Sequence, residues 1–175
     1  FAGILLIVVN SANAFTACQV TDVGGVDDKS FNETAWKGVQ DAVAKHGIES
    51  KLLESKDGTD YEPHLKSMVS SGCDVIVGVG FLMGEATEKA AIANPNSNFT
   101  IVDFAYAETK PNLLGQVYAT DQAAFLAGYL SAGVSQTGIV GTFGGINIPP
   151  VTAFMDGFAW GVKHHNKVKG TNVQV

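Results

Sequence analysis

The sequence predicts an α/β fold built on a parallel, doubly wound sheet. Three observations carry that expectation. Strand-like and helix-like patterns alternate from Phe15 onward. One strand pattern, CDVIVGVG, is a continuous apolar run, as in strands covered on both faces. Glycine is abundant, at 20 of 175 residues, which suits many tight strand-to-helix turns. With 46% hydrophobic and 16% charged residues, the chain has enough apolar surface for a core.

The elements follow in order. FTACQVTD reads as the first strand. SFNETAWKGVQDAVAKHG reads as a helix, with Phe31, Ala35, Val39, Ala42 and Val43 near one face. Ser30 with Glu33 three residues later matches the capping-box pattern, and Gly47 stops the helix. IESKLLES is a strand, and TDYEPHLKSMVSSG a helix with proline in its first turn. CDVIVGVG, GEATEKAAIANP, NFTIVD and NLLGQVYA continue as strand, helix, strand, strand. Residues 15–120 thus read as one α/β lobe. Residues 121–175 read as the incomplete start of a second: helix QAAFLAGYLSAGVS, strand TGIVGTFGG, helix PVTAFMDGFAWGVKHHN and strand TNVQV.

Residues 1–14 read as the remnant of a signal peptide. An apolar run from Phe1 to Val9 leads into Ala12-Asn13-Ala14, the small-residue pattern of a cleavage site. The run is too short to span a bilayer as a helix. Export places Cys18 and Cys73, the only two cysteines, in an oxidising compartment. If their strands are neighbours, the two lie side by side and pair, and closing so long a loop stabilises by about 4 kcal/mol. Two buried free thiols are the alternative, and lipid attachment at Cys18 a third reading. Phe15-Thr16-Ala17 fits the Leu-x-x-Cys box of lipoproteins poorly.

The net charge of −6, with no basic patch, argues against nucleic acid as a partner. His164 and His165 are adjacent and point about 100° apart on a helix, so no metal site is expected. Gly78-x-Gly80-x-x-x-Gly84, followed by Asp103, imitates a dinucleotide fingerprint. It falls on the third strand rather than the first, in a chain read as exported, so no cofactor is expected. No Gly-x-Ser-x-Gly elbow or phosphate loop is present, and no nucleophile is marked. The chain is therefore read as a binding protein rather than an enzyme.

Ligands of open α/β sheets sit at the carboxyl ends of strands. Asp22 ends the first strand, Phe81 follows the third and Asp103 ends the fourth. Phe31 and Asn32 open the first helix at the same edge. Two carboxylates without a basic partner accept from hydroxyl or N–H donors, an aromatic ring stacks on a planar group, and an amide donates and accepts. Each has a plainer role: Asp22 as a turn-former, Phe31 as a core anchor, Asn32 as a cap. Their clustering favours ligand binding. Trp36, one turn after Asn32, is expected to pack behind them.

These motifs also carry a resemblance. VTDVGGVDDKSFNETAWKGV resembles the opening motif of the basic membrane protein family, the PnrA-like nucleoside receptors of ABC transporters. GCDVIVGVGFLMGEATEKAAIANPNSNFTIVD and FLAGYLSAGVSQTGIVGTFGGINIPPVTAFMDGFAWGVK continue it over nearly everything after Ala14. The cysteine-bearing segments look like the actinobacterial branch. The resemblance implies a type I periplasmic-binding-protein fold of two lobes and a purine nucleoside as ligand. It further implies an ABC permease as partner, and a monomer at the periplasmic or outer face of the membrane. Carried over by motif, Asp22, Phe31 and Asp103 are ligand residues, with Asn32 an extra contact. Most members are lipoproteins. A Rossmann-type nucleotide-dependent enzyme and the effector domain of a sugar-type regulator are the competing readings.

Overall fold

The computed structural model describes residues 14–175. The signal-peptide reading of residues 1–14 falls almost wholly outside them. The chain divides into two compact units between Gln116 and Val117.

The first unit is a five-stranded parallel sheet with its helices in the crossovers. Its elements are β1 (Thr16–Thr21), α1 (Phe31–His46), β2 (Glu49–Glu54), α2 (Tyr61–Ser70), β3 (Val75–Val79), α3 (Gly84–Ala93), β4 (Asn98–Val102) and β5 (Leu113–Gln116). The strand order is β2-β1-β3-β4-β5. The chain lays β2 on one side of β1 and β3 on the other, so the order reverses between β1 and β3. That is the switch point of a doubly wound sheet. All six residues of β1 are buried, whereas β2 at the sheet edge alternates between exposed and partly buried positions.

Alternation along β1 sorts its side chains between two faces. Cys18 and Val20 join Leu65, Met68, Ile76, Met83, Phe99 and Ile101 in the main core, beneath α2 and α3. Gln19 points the other way, and its amide donates to the Asn32 carbonyl of α1. Cys18 and Cys73 form a disulfide, with 6.0 Å between their Cα atoms. It ties β1 to the turn ahead of β3, its hydrogen-bonded neighbour. With Cys18 fully buried and bonded to Cys73, no thiol remains there for a lipid.

Local geometry corrects one sequence reading of α1. Ser30 is the N-cap residue, yet its side chain caps nothing. Asp28 does the work instead. Its carboxylate accepts from the backbone N–H groups of Ser30, Asn32 and Glu33, at 2.8–3.1 Å. Gly47 ends the helix in a left-handed conformation, as the sequence predicts.

The second unit holds α4 (Thr120–Val134) and α5 (Pro149–Lys169). A Cβ at Gly157 would strike the carbonyl of Asp121, and one at Gly161 that of Phe125. These contacts advance in step along both helices, so α4 and α5 run parallel, in backbone contact that only glycine permits. The strands expected at TGIVGTFGG and TNVQV shrink to one parallel bridge, Ile139 with Gln174. A two-stranded pairing has little stability of its own, and residues 141–147 stay exposed. The Asn166 side chain holds this bridge close to α5 by bonding both backbone groups of Val173.

The disulfide yields a measurable expectation. Thiol titration of the denatured, unreduced protein finds no free thiol. A Cys18→Ala/Cys73→Ala variant loses about 2–4 kcal/mol in denaturant unfolding. Equal stability would contradict the account of β1 and β3 as a cross-linked pair.

Candidate ligand-binding site

Hydrogen bonding between strands continues one residue past their formal ends. The Asp22 N–H donates to the Val79 carbonyl, Gly80 to Val102 and Asp103 to Gln116, at 2.8–3.2 Å. Asp22, Gly80 and Asp103 therefore stand in a row on three adjacent strands. At ordinary strand spacing the two aspartates are about 10 Å apart. Asp22 and Gly80 flank the switch point, where the crossovers diverge and leave the sheet edge open.

Asp22 is held from three sides. Its Oδ1 accepts from the Gly24 N–H at 3.0 Å and from the Asn32 amide at 2.9 Å. Its Oδ2 lies over Gly80. A Cβ at that residue would come within 2.4 Å of this oxygen, and Gly80 has φ of +114°. Glycine is required there twice, for the backbone angle and for the seat it leaves. Asn32 is only 2% exposed. Its amide donates to both Asp22 and Asp28, while its Oδ1 is buried with no hydrogen-bond partner. Asn32 thus lies beneath the sheet edge, behind Asp22.

Phe31 opens α1 beside this cluster and is 38% exposed, an unusual setting for a ring that serves only as a core anchor. Phe81 is partly buried and packs against Phe104, with centroids 5.0 Å apart, and Phe104 packs on Tyr106 at 4.8 Å. The Tyr106 hydroxyl donates to the Gly84 carbonyl. Phe104 also occupies the space a side chain at Gly84 would need. The glycine at the end of the apparent dinucleotide fingerprint thus receives an aromatic ring. Sequence reasoning passed over Phe104 and Tyr106, although their spacing just after Asp103 was a signal. Trp36 is half-buried on α1.

The acids differ in their surroundings. Burial pulls the Asp28 carboxyl up, but three backbone N–H groups and the Asn32 amide outweigh it, and the group sits below the usual carboxylate range. Burial raises Asp103, and no bonded donor offsets it. Asp103 also adopts φ of +70°, a left-handed conformation that aspartate tolerates better than most residues. Burial and the charge of Asp22 raise the Tyr61 hydroxyl. A separate groove of about 700 Å³ lies on the α2–α3 side, lined by Val23, Tyr61 and Leu82 among others. Its charged wall is internally paired, with Lys89 bridging Glu62 and Glu85.

The family profile described as "ABC transporter substrate-binding protein PnrA-like" matches residues 15–175. The chain is 35% identical over 151 residues to a protein of Lactococcus lactis subsp. cremoris called ABC transporter nucleoside-binding protein BmpA. That match covers 84% of this chain and 43% of the relative. It is 36% identical over 146 residues to basic membrane protein A of Borreliella burgdorferi, covering 82% and 43%. A solved ABC transporter solute-binding protein from Aeropyrum pernix K1 superposes with a TM-score of 0.82 at 29% identity. It covers 91% of this chain and 46% of that one. The chain spans a little under half the length of these relatives.

The role of Asp28 is open to test. Asp28→Ala removes the acceptor for the N–H groups of the N-cap Ser30 and of Asn32 and Glu33 in the first turn, and lowers stability by about 1 kcal/mol. Because its carboxyl is held below the ordinary value, the contribution is complete above the unfolded pKa. It disappears as pH falls through the lower, folded one. Denaturant unfolding at neutral and strongly acid pH shows the wild-type advantage at the first and not the second. An advantage that persists in acid would assign the stabilisation elsewhere.

Proposed function

The chain belongs to the Bmp family of PnrA-like ABC transporter substrate-binding proteins, and from that premise we propose that it binds a purine nucleoside at Asp22, Phe31, Phe81 and Asp103 and delivers it to a membrane permease. The observation that carries this reading is the row of strand ends at the switch point. It sets the backbones of two aspartates about 10 Å apart, with an exposed ring opening the helix beside one of them. Carboxylates in this setting accept from sugar hydroxyls or base N–H groups, and Phe31 stacks on a flat heterocycle. Phe81 follows Gly80, the middle of the row, and packs against Phe104. The name of the Lactococcus relative supports a nucleoside as the ligand.

The reaction is binding and release without bond-breaking. Substrate-binding proteins of ABC transporters act outside the cytoplasm, where a buried disulfide persists. The pairing of Cys18 with Cys73 supports that location. Any lipid anchor belongs to a residue other than Cys18.

Calorimetric titration with guanosine, adenosine, inosine, cytidine and ribose tests the proposal. Purine nucleosides bind, and Phe31→Ala and Asp103→Ala each weaken binding by about tenfold or more. A folded protein that binds none of them overturns the nucleoside reading.

The raised Asp103 carboxyl adds a pH dependence. It accepts hydrogen bonds best when ionised, so acidification weakens binding as pH falls through its raised pKa. That loss begins at a higher pH than an ordinary aspartate would set. Titrations in steps from neutral to about pH 4 follow it, and a flat profile contradicts a ligand contact at Asp103.

A further inference from the structure

We infer that Asn32 is a positioning residue, which acts on ligand through Asp22 rather than by touching it; the inference deepens the proposed function and rests on it. The geometry supplies the argument. Asn32 is 2% exposed and its Nδ2 is already bonded to Asp22, so little of it is open to a ligand at the sheet edge. Both hydrogen bonds donated by its Nδ2 go to carboxylates, 2.9 Å to Asp22 Oδ1 and 3.3 Å to Asp28 Oδ2. Its own backbone N–H also bonds Asp28 Oδ2, at 2.8 Å. Asn32 is thereby locked to the helix start at one end and to Asp22 at the other.

The consequence falls on Asp22. Its hydrogen bonds all gather on Oδ1, from Gly24 and Asn32, which leaves Oδ2 to meet a ligand donor. Two donors on one oxygen fix the plane of the carboxylate as well as its position. Oδ2 is further confined by the bare Cα of Gly80. A carboxylate held in place before ligand arrives loses little side-chain freedom on binding. The side chain of Asn32 acts through its Nδ2, which donates to both carboxylates, while its buried Oδ1 has no partner. With the amide reversed, its oxygen would face the two carboxylates in place of a donor. Aspartate here would add a third negative charge, and alanine would leave two carboxylates short of a donor.

A double-mutant cycle tests this with guanosine as the probe, on the protein and its Asn32→Ala, Asp22→Ala and doubly substituted variants. Circular dichroism melts establish that each is folded. Should the Asn32→Ala protein not melt cooperatively, Asn32→Ser takes its place in the cycle. The expected result is about a tenfold loss of affinity from Asn32→Ala when Asp22 is present, and no further loss when Asp22 is already alanine. An equal loss in both backgrounds would show that Asn32 contacts ligand itself, and no loss in either would show that it does not position Asp22. Both outcomes overturn the inference. If the unsubstituted protein binds no nucleoside, the receptor reading fails separately, and the crystal structure of the Asn32→Ala variant decides. Movement of the Asp22 carboxylate off Gly80 supports the positioning role, and an unmoved carboxylate overturns it.

Discussion

The hydrogen bonds that seat the Asp22 carboxylate organise the whole sheet edge. Asp22 ends the fully buried central strand, so its backbone is fixed by β1 and by the N–H bond to Val79. Its side chain is then fixed by the β1–α1 turn through Gly24 and by α1 itself through Asn32. The same Asn32 is tied to Asp28, which satisfies the first N–H groups of α1. Helix start, turn and strand end therefore form one hydrogen-bonded unit, and Gly80 on β3 leaves the space in which its carboxylate sits.

This arrangement accounts for the polar character of the turn and helix start at residues 21–36. Most of its polar groups face one another, in turn closure and helix capping. Few are left over: the second oxygen of Asp22 and the exposed ring of Phe31. Asp103 stands at the same edge, two strands away. Its environment is the opposite of that around Asp22, since it is partly desolvated, left-handed in backbone and without a bonded donor. One acid is held in place by neighbouring donors, and the other is not.

Much of this was legible in the sequence because it rests on short-range rules. Alternating patterns predict the crossovers, and the strand-end rule puts Asp22, Phe81 and Asp103 on one edge. The contribution of Asn32 was not legible. An asparagine that points into a ligand site and one that points into a helix start look alike in a one-dimensional pattern. Ser30 occupies the expected capping position, yet Asp28, two residues earlier, reaches the same N–H groups because the turn folds back. The strand patterns of the second unit also misled. TGIVGTFGG has strand-forming residues, but a strand is defined by its neighbours, and only Ile139 finds one, in Gln174.

The division of labour between Asp22 and Asn32 has a direct observable. A crystal structure of the protein with a bound purine nucleoside should show a ligand hydroxyl or N–H on Asp22 Oδ2. Oδ1 should keep its bonds from Gly24 and Asn32, and the base should lie on Phe31. A ligand bonded to the Asn32 amide, or seated away from Asp22 and Asp103 altogether, would contradict the account.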